Sequence, residues 1–133
     1  MGKFRNVILC DDIRDEMGNK KSLMGVYSGD ILVQNFPAAV QIAFYVDYVP
    51  AEDEAGEIPV QFRITQDGAE IAKAQIQAKI DKGPTVTLII PKGVASFDKA
   101  STLGLYGKVY DEPEVMLLTK RILLISGSSP TAT

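Results

Sequence analysis

Between Val60 and Ile80 the side chains alternate apolar and polar at every second position, and this alternation decides the fold class. Val60, Phe62 and Ile64 point one way while Gln61, Arg63 and Thr65 point the other, the pattern of a half-buried strand. Gln66-Asp67-Gly68 follows as a hairpin turn, because Asp-Gly accepts positive φ. The return run, Glu70 to Ile80, holds a conflict. Its Glu, Ala, Lys and Gln favour helix by intrinsic propensity. Yet Ala72, Ala74, Ile76, Ala78 and Ile80 share one face at period two, opposite Lys73, Gln75, Gln77 and Lys79. Ile71, Ile76 and Ile80 form no compact helical stripe, so the run is read as a strand.

The same logic marks Phe4–Cys10, Leu23–Ser28, Ile31–Val33, Val40–Val49, Thr85–Ile90, Thr102–Tyr110 and Val115–Ile125 as strands. Turn signals separate them at Gly18-Asn19, Gly29-Asp30, Phe36-Pro37, Gly83-Pro84, Pro91-Lys92-Gly93 and Asp111-Glu112-Pro113. Only Val94–Ala100 is expected to form a short helical turn. Eight or nine short strands without long helices predict an all-β fold: an antiparallel two-sheet sandwich, immunoglobulin-like, of about eight strands, with a closed β-barrel as the alternative. Tyr106, in a Gly-x-Tyr strand, suits a tyrosine-corner-like role. Residues 1–125 read as a single domain and 126–133 as a disordered tail, since SGSSPTAT has no apolar anchor. At 133 residues the chain can bury roughly two thirds of its unfolded surface in one core.

The net charge of −3 argues against nucleic acid or an anionic membrane as the main partner. No apolar run approaches the length of a membrane span. Val7 to Cys10 is too short for a signal peptide and is followed at once by charges. One cysteine makes no internal disulfide, so a cytoplasmic, reducing setting is expected.

There is no histidine, which removes the usual general base near neutral pH and the commonest metal ligand. No nucleophile elbow or phosphate-binding glycine loop is present. Cys10 precedes Asp11 and Asp12, whose charges raise a thiol pKa and suppress its nucleophilicity, so it reads as a small buried residue at a strand end. No catalytic, cofactor-binding or metal-binding residue is assigned. The expectation is a non-enzymatic protein-binding or assembly module. Its alternative is a small-ligand or calcium-binding sandwich using acidic loops such as Glu52–Glu57, although no Asp-x-Asp-x-Asp loop is present. Candidate partner contacts are Asp15, Lys20 and Lys21 in an exposed turn, the strand tyrosines Tyr45, Tyr106 and Tyr110, and Leu118. Leu118 belongs to a final strand that is apolar in both phases, which suits a homo-oligomer interface.

Cys10-Asp11-Asp12, Ser22-Leu23-Met24-Gly25-Val26-Tyr27, Asp30-Ile31 and Phe36-Pro37 follow one another between residues 7 and 37. This block resembles the opening of a family of small uncharacterised bacterial proteins. The resemblance implies a bacterial cytoplasmic domain and supplies no catalytic residue. Read physically, Asp11 or Asp12 caps the turn after the first strand, Gly18-Asn19 makes the reversal, and Gly25 marks a bulge or a close backbone approach.

Overall fold

The computed structural model describes residues 2–80 and 84–125. The expected disordered tail and the glycine of the Gly83-Pro84 turn lie outside the described residues. Nine strands follow in order: β1 (Lys3–Glu16), β2 (Lys20–Val26), β3 (Ile31–Val33), β4 (Ala38–Val49), β5 (Gly56–Gln66), β6 (Ala69–Ile80), β7 (Val86–Phe97), β8 (Ser101–Val109) and β9 (Val115–Leu124). They form a two-sheet sandwich. One sheet runs β2-β1-β4-β7 and the other β3-β9-β8-β5-β6. Every pairing is antiparallel except β3 with β9, where Ile31–Val33 lies parallel to Ile122–Leu124.

The alternation of β5 and β6 is realised, except that Thr65, read as an outward residue, is buried opposite Gly104. Ile58, Val60, Phe62 and Ile64 face inward, and Ala78 and Ile80 close the core beside them. Tertiary pairing thus overrides the helical propensity of β6. The centre of the sandwich is aromatic: Phe44, Tyr48, Phe62 and Phe97 are fully buried, and Phe4 tilts against Tyr48 and Phe62 at 5.4 and 5.9 Å between ring centroids.

Three local expectations are corrected, each by a strand that continues where a break was read. Val94–Ala100 forms no helical turn: its first four residues extend β7. Pro91-Lys92-Gly93 is not a turn. Ile42 pairs with Gly93 and Phe44 with Ile90, so the two residues between them oppose Ala43 alone in a bulge. A bulge tolerates the missing proline N–H that a regular ladder would not. Asp11 and Asp12 do not cap a turn. β1 runs through them to Glu16, so Cys10 is mid-strand.

A second bulge explains the apolar character of β9. Leu105 pairs with Leu118 but Tyr106 pairs with Met116, leaving Leu117 as an extra residue. The phase flips there, and Leu117 and Leu118 both pack half-buried against the core. Tyr106 is no corner residue: it sits mid-strand with the Arg63 guanidinium 4.9 Å from its ring centroid.

Candidate functional site

β1 belongs to two structures. From Lys3 to Cys10 it pairs with β4, and from Cys10 to Glu16 it pairs with β2. Beyond Cys10 the β1–β2 hairpin therefore leaves β4 as an arm. Its turn is set by Gly18 and Asn19, with φ of 87° and 58°. Both residue types reach the left-handed region at little cost.

A compact set of contacts fixes the root of the arm. Gly25 has a φ of 69°, and a Cβ there would collide with the Asp11 carboxylate. Asp11 lies over the glycine and accepts a 2.7 Å hydrogen bond from the Tyr27 hydroxyl, with the Gln41 carbonyl 3.1 Å from the same oxygen. Burial, then the bond to Asp11, push the Tyr27 pKa well above its ordinary value. The Cys10 thiol is fully buried and hydrogen-bonds the Asp12 carbonyl at 3.4 Å. Burial raises its pKa first and the Asp11 charge adds to the rise. It is a packing residue.

Between the arm and the outer face of β1, β4 and β7 lies a groove of about 790 Å³. Its apolar lining is Ile8 from β1, Leu23 from the arm, Tyr45 from β4 and Ile89 from β7, and polar side chains make up the rest. Lys20, Lys21 and Asn19 from the arm line it as well. Lys21 is ion-paired with Asp15, while Lys20 has no ion-pair partner among the described residues.

The groove also has a polar part. Asp47 is only 8% exposed. Its carboxylate accepts 2.9 Å from the Asn6 amide and 3.0 Å from the Thr87 hydroxyl. Asn6 holds a φ of 51° in the bulge between Arg5 and Ile8 of β1. A buried carboxylate and a non-glycine residue at positive φ beside a bulge are features that concentrate at functional sites. Each oxygen of Asp47 thus has one donor within the protein.

The structure therefore brings Lys20, Lys21 and Tyr45 to one groove, with Asp15 behind Lys21. It places the other candidates elsewhere. Tyr106 stacks under Arg63, whose guanidinium binds Glu114 at 2.8 and 2.9 Å. Tyr110 follows β8 at a φ of 54° and is exposed. Partial desolvation, then the charges of Glu54, Asp53 and Glu112, raise its pKa. Leu118 is half-buried against the core rather than on a free outer face.

Three groove residues, Asn6, Asp47 and Thr87, escaped the sequence reading. Asp47 left one trace, as the single charge in the apolar run Ile42–Val49. Among the described residues no three His, Cys, Asp or Glu side chains converge to hold a metal ion. Glu54 of the acidic loop is engaged internally, accepting from the Tyr48 hydroxyl at 2.7 and 2.9 Å and from the Ala51 N–H at 2.7 Å. No helix among the described residues is long and apolar enough to cross a membrane.

A family described as a family of unknown function, DUF6941, matches residues 5–104. The chain belongs to this family. The matched span contains the whole groove, from Asn6 to Ile89, and extends well past the opening block that carried the resemblance. No curated protein and no solved structure matches the chain.

Proposed function

We propose that this DUF6941 chain is a non-enzymatic binding module that holds a segment of a partner protein in the groove beneath the β1–β2 arm. The observation that carries this reading is the convergence of Lys20, Lys21 and Tyr45 on one cavity whose lining mixes polar side chains with Ile8, Leu23 and Ile89. Ile8, Leu23 and Ile89 favour an aliphatic or aromatic side chain of the partner through burial. Tyrosine adds contact area at low entropic cost. Lys20, which has no ion-pair partner among the described residues, favours a carboxylate, by charge complementarity that steers encounter and sets specificity more than it adds affinity.

The groove contains no histidine and no cysteine, which supports binding over nucleophilic or acid–base turnover. The net charge of −3 supports a protein partner over nucleic acid. The lone buried cysteine supports a reducing, cytoplasmic setting.

A random-peptide display library panned against the purified chain tests the proposal, with a triple variant Lys20→Glu, Lys21→Glu and Tyr45→Ala panned in parallel. Wild type is expected to enrich peptides that combine Asp or Glu with aliphatic or aromatic residues, and the variant to lose them. No enrichment, or the same enrichment by both proteins, overturns the reading.

A further inference from the structure

Two sheets have four edges, and three of them carry a feature that discourages pairing with another chain. β3 is three residues long. β7 carries Pro91 in a bulge. β2 carries Gly25 at positive φ in the bent arm. Short edges, bulges and proline are the devices by which sheets avoid edge-to-edge association. β6 is long and carries a single bulge near one end, together with outward lysines at Lys73 and Lys79, so the charges along it decide which registers it admits. It pairs with β5 from Gly56↔Ile80 to Gln66↔Ala69, and the register slips once, between Ile64 and Thr65. Among the described residues no strand pairs its other side, and it contains neither proline nor glycine.

The side chains of β6 fit a second copy of the same strand. The slip makes Ile71 the extra residue, since Ile64 pairs with Ala72 and Thr65 with Glu70. The outward series along the strand is therefore Glu70, Lys73, Gln75, Gln77, Lys79. Laid antiparallel against itself about Gln75, this series places Gln75 opposite Gln75, Lys73 opposite Gln77 and Glu70 opposite Lys79. The Glu–Lys match occurs twice by symmetry. A two-fold about Ile76 would instead set Lys73 opposite Lys79, and one about Lys73 would oppose two lysines. Like charges directly opposite destabilise a strand pair, and unlike charges stabilise it.

We propose that two copies of the chain associate through β6, antiparallel about Gln75, joining their five-stranded sheets into one. The contact is isologous and closes as a dimer. It moves the expected self-association from the face of β9 to the edge strand β6 of the same sheet, and it leaves the groove free.

The self-opposed position gives a direct test. Gln75→Glu and Gln75→Lys are surface changes, and circular dichroism checks that each variant remains folded. Wild type is expected to have twice the 14.4 kDa chain mass in solution. Each variant alone is expected at the single-chain mass, and an equimolar mixture of the two is expected to recover the doubled mass. Gln75→Cys is expected to cross-link to itself under mild oxidation, because directly opposed Cα atoms in an antiparallel pair lie about 4.5–5.5 Å apart, within disulfide reach. A monomeric wild type overturns the proposal. So does a doubled mass in both charged variants, a mixture that stays monomeric, or a Gln75→Cys protein that does not cross-link.

Discussion

Gly25→Ala should be among the most damaging single-methyl additions to this chain, and the structure allows the loss to be estimated. At a φ of 69° a side chain meets its own carbonyl, a cost of about 1–2 kcal/mol. The new Cβ also collides with the Asp11 carboxylate. Asp11 must turn away and surrender the bond from Tyr27. A hydrogen bond to a charged group contributes about 1.5–3 kcal/mol. Against this, alanine stiffens the unfolded chain and returns about 0.4–1 kcal/mol. The expected net loss is about 2–4 kcal/mol, read as a lowered urea midpoint with an unchanged slope. The collision gives the estimate a signature. In an Asp11→Ala background the obstacle is gone, so the glycine substitution should then cost only about the conformational part. A loss below about 0.5 kcal/mol, or strict additivity of the two substitutions, would show that Asp11 does not obstruct a side chain at position 25.

Two further outcomes follow from buried groups. Tyr48→Phe removes the donor to Glu54 and should cost about 1.5–3 kcal/mol in chemical denaturation. Burial, then the bond to Glu54, hold the Tyr48 pKa well above its ordinary 10.0. The stabilisation is therefore full below pH 10 and is lost as the pH rises towards the folded value. Stability should fall by about 1.4 kcal/mol per pH unit in that window for each such tyrosine. Tyr48→Phe should flatten the decline, and an unaltered alkaline profile would contradict the assignment. Cys10 is fully buried with a raised pKa, so a thiol reagent should label it only after unfolding; rapid labelling of the native chain would show that β1 opens at that position.

Much of the architecture was legible because period two survives wherever a strand has one wet face. Apart from Thr65, β5 and β6 could be read residue by residue despite the helix-forming composition of β6. The errors fall where a bulge resets the phase. Pro91-Lys92 resembles a turn in sequence because proline rarely enters a ladder, and only pairing with β4 reveals the bulge that admits it. Leu117 and Leu118 look like two faces of a strand, whereas one extra residue turns both to the core. Asp11-Asp12 looks like a turn because charges end apolar runs, yet β1 continues there in partnership with β2. The groove was half legible. Lys20, Lys21 and Tyr45 drew notice as exposed polar or aromatic side chains. Their convergence depends on an arm leaving β4 after Cys10, a tertiary feature with no local signature. Asn6 and Thr87 are ordinary strand residues until Asp47 is seen between them.

The groove is the proposed recognition surface. Its most direct test is amide chemical-shift mapping with an acidic, aliphatic or aromatic peptide selected by display. The shifts are predicted to gather at Lys20, Lys21, Tyr45, Asp47 and Thr87 and to vanish when Lys20 and Lys21 are changed to glutamate. Shifts confined to the outer face of the five-stranded sheet, around Lys108 and Tyr110, would contradict it.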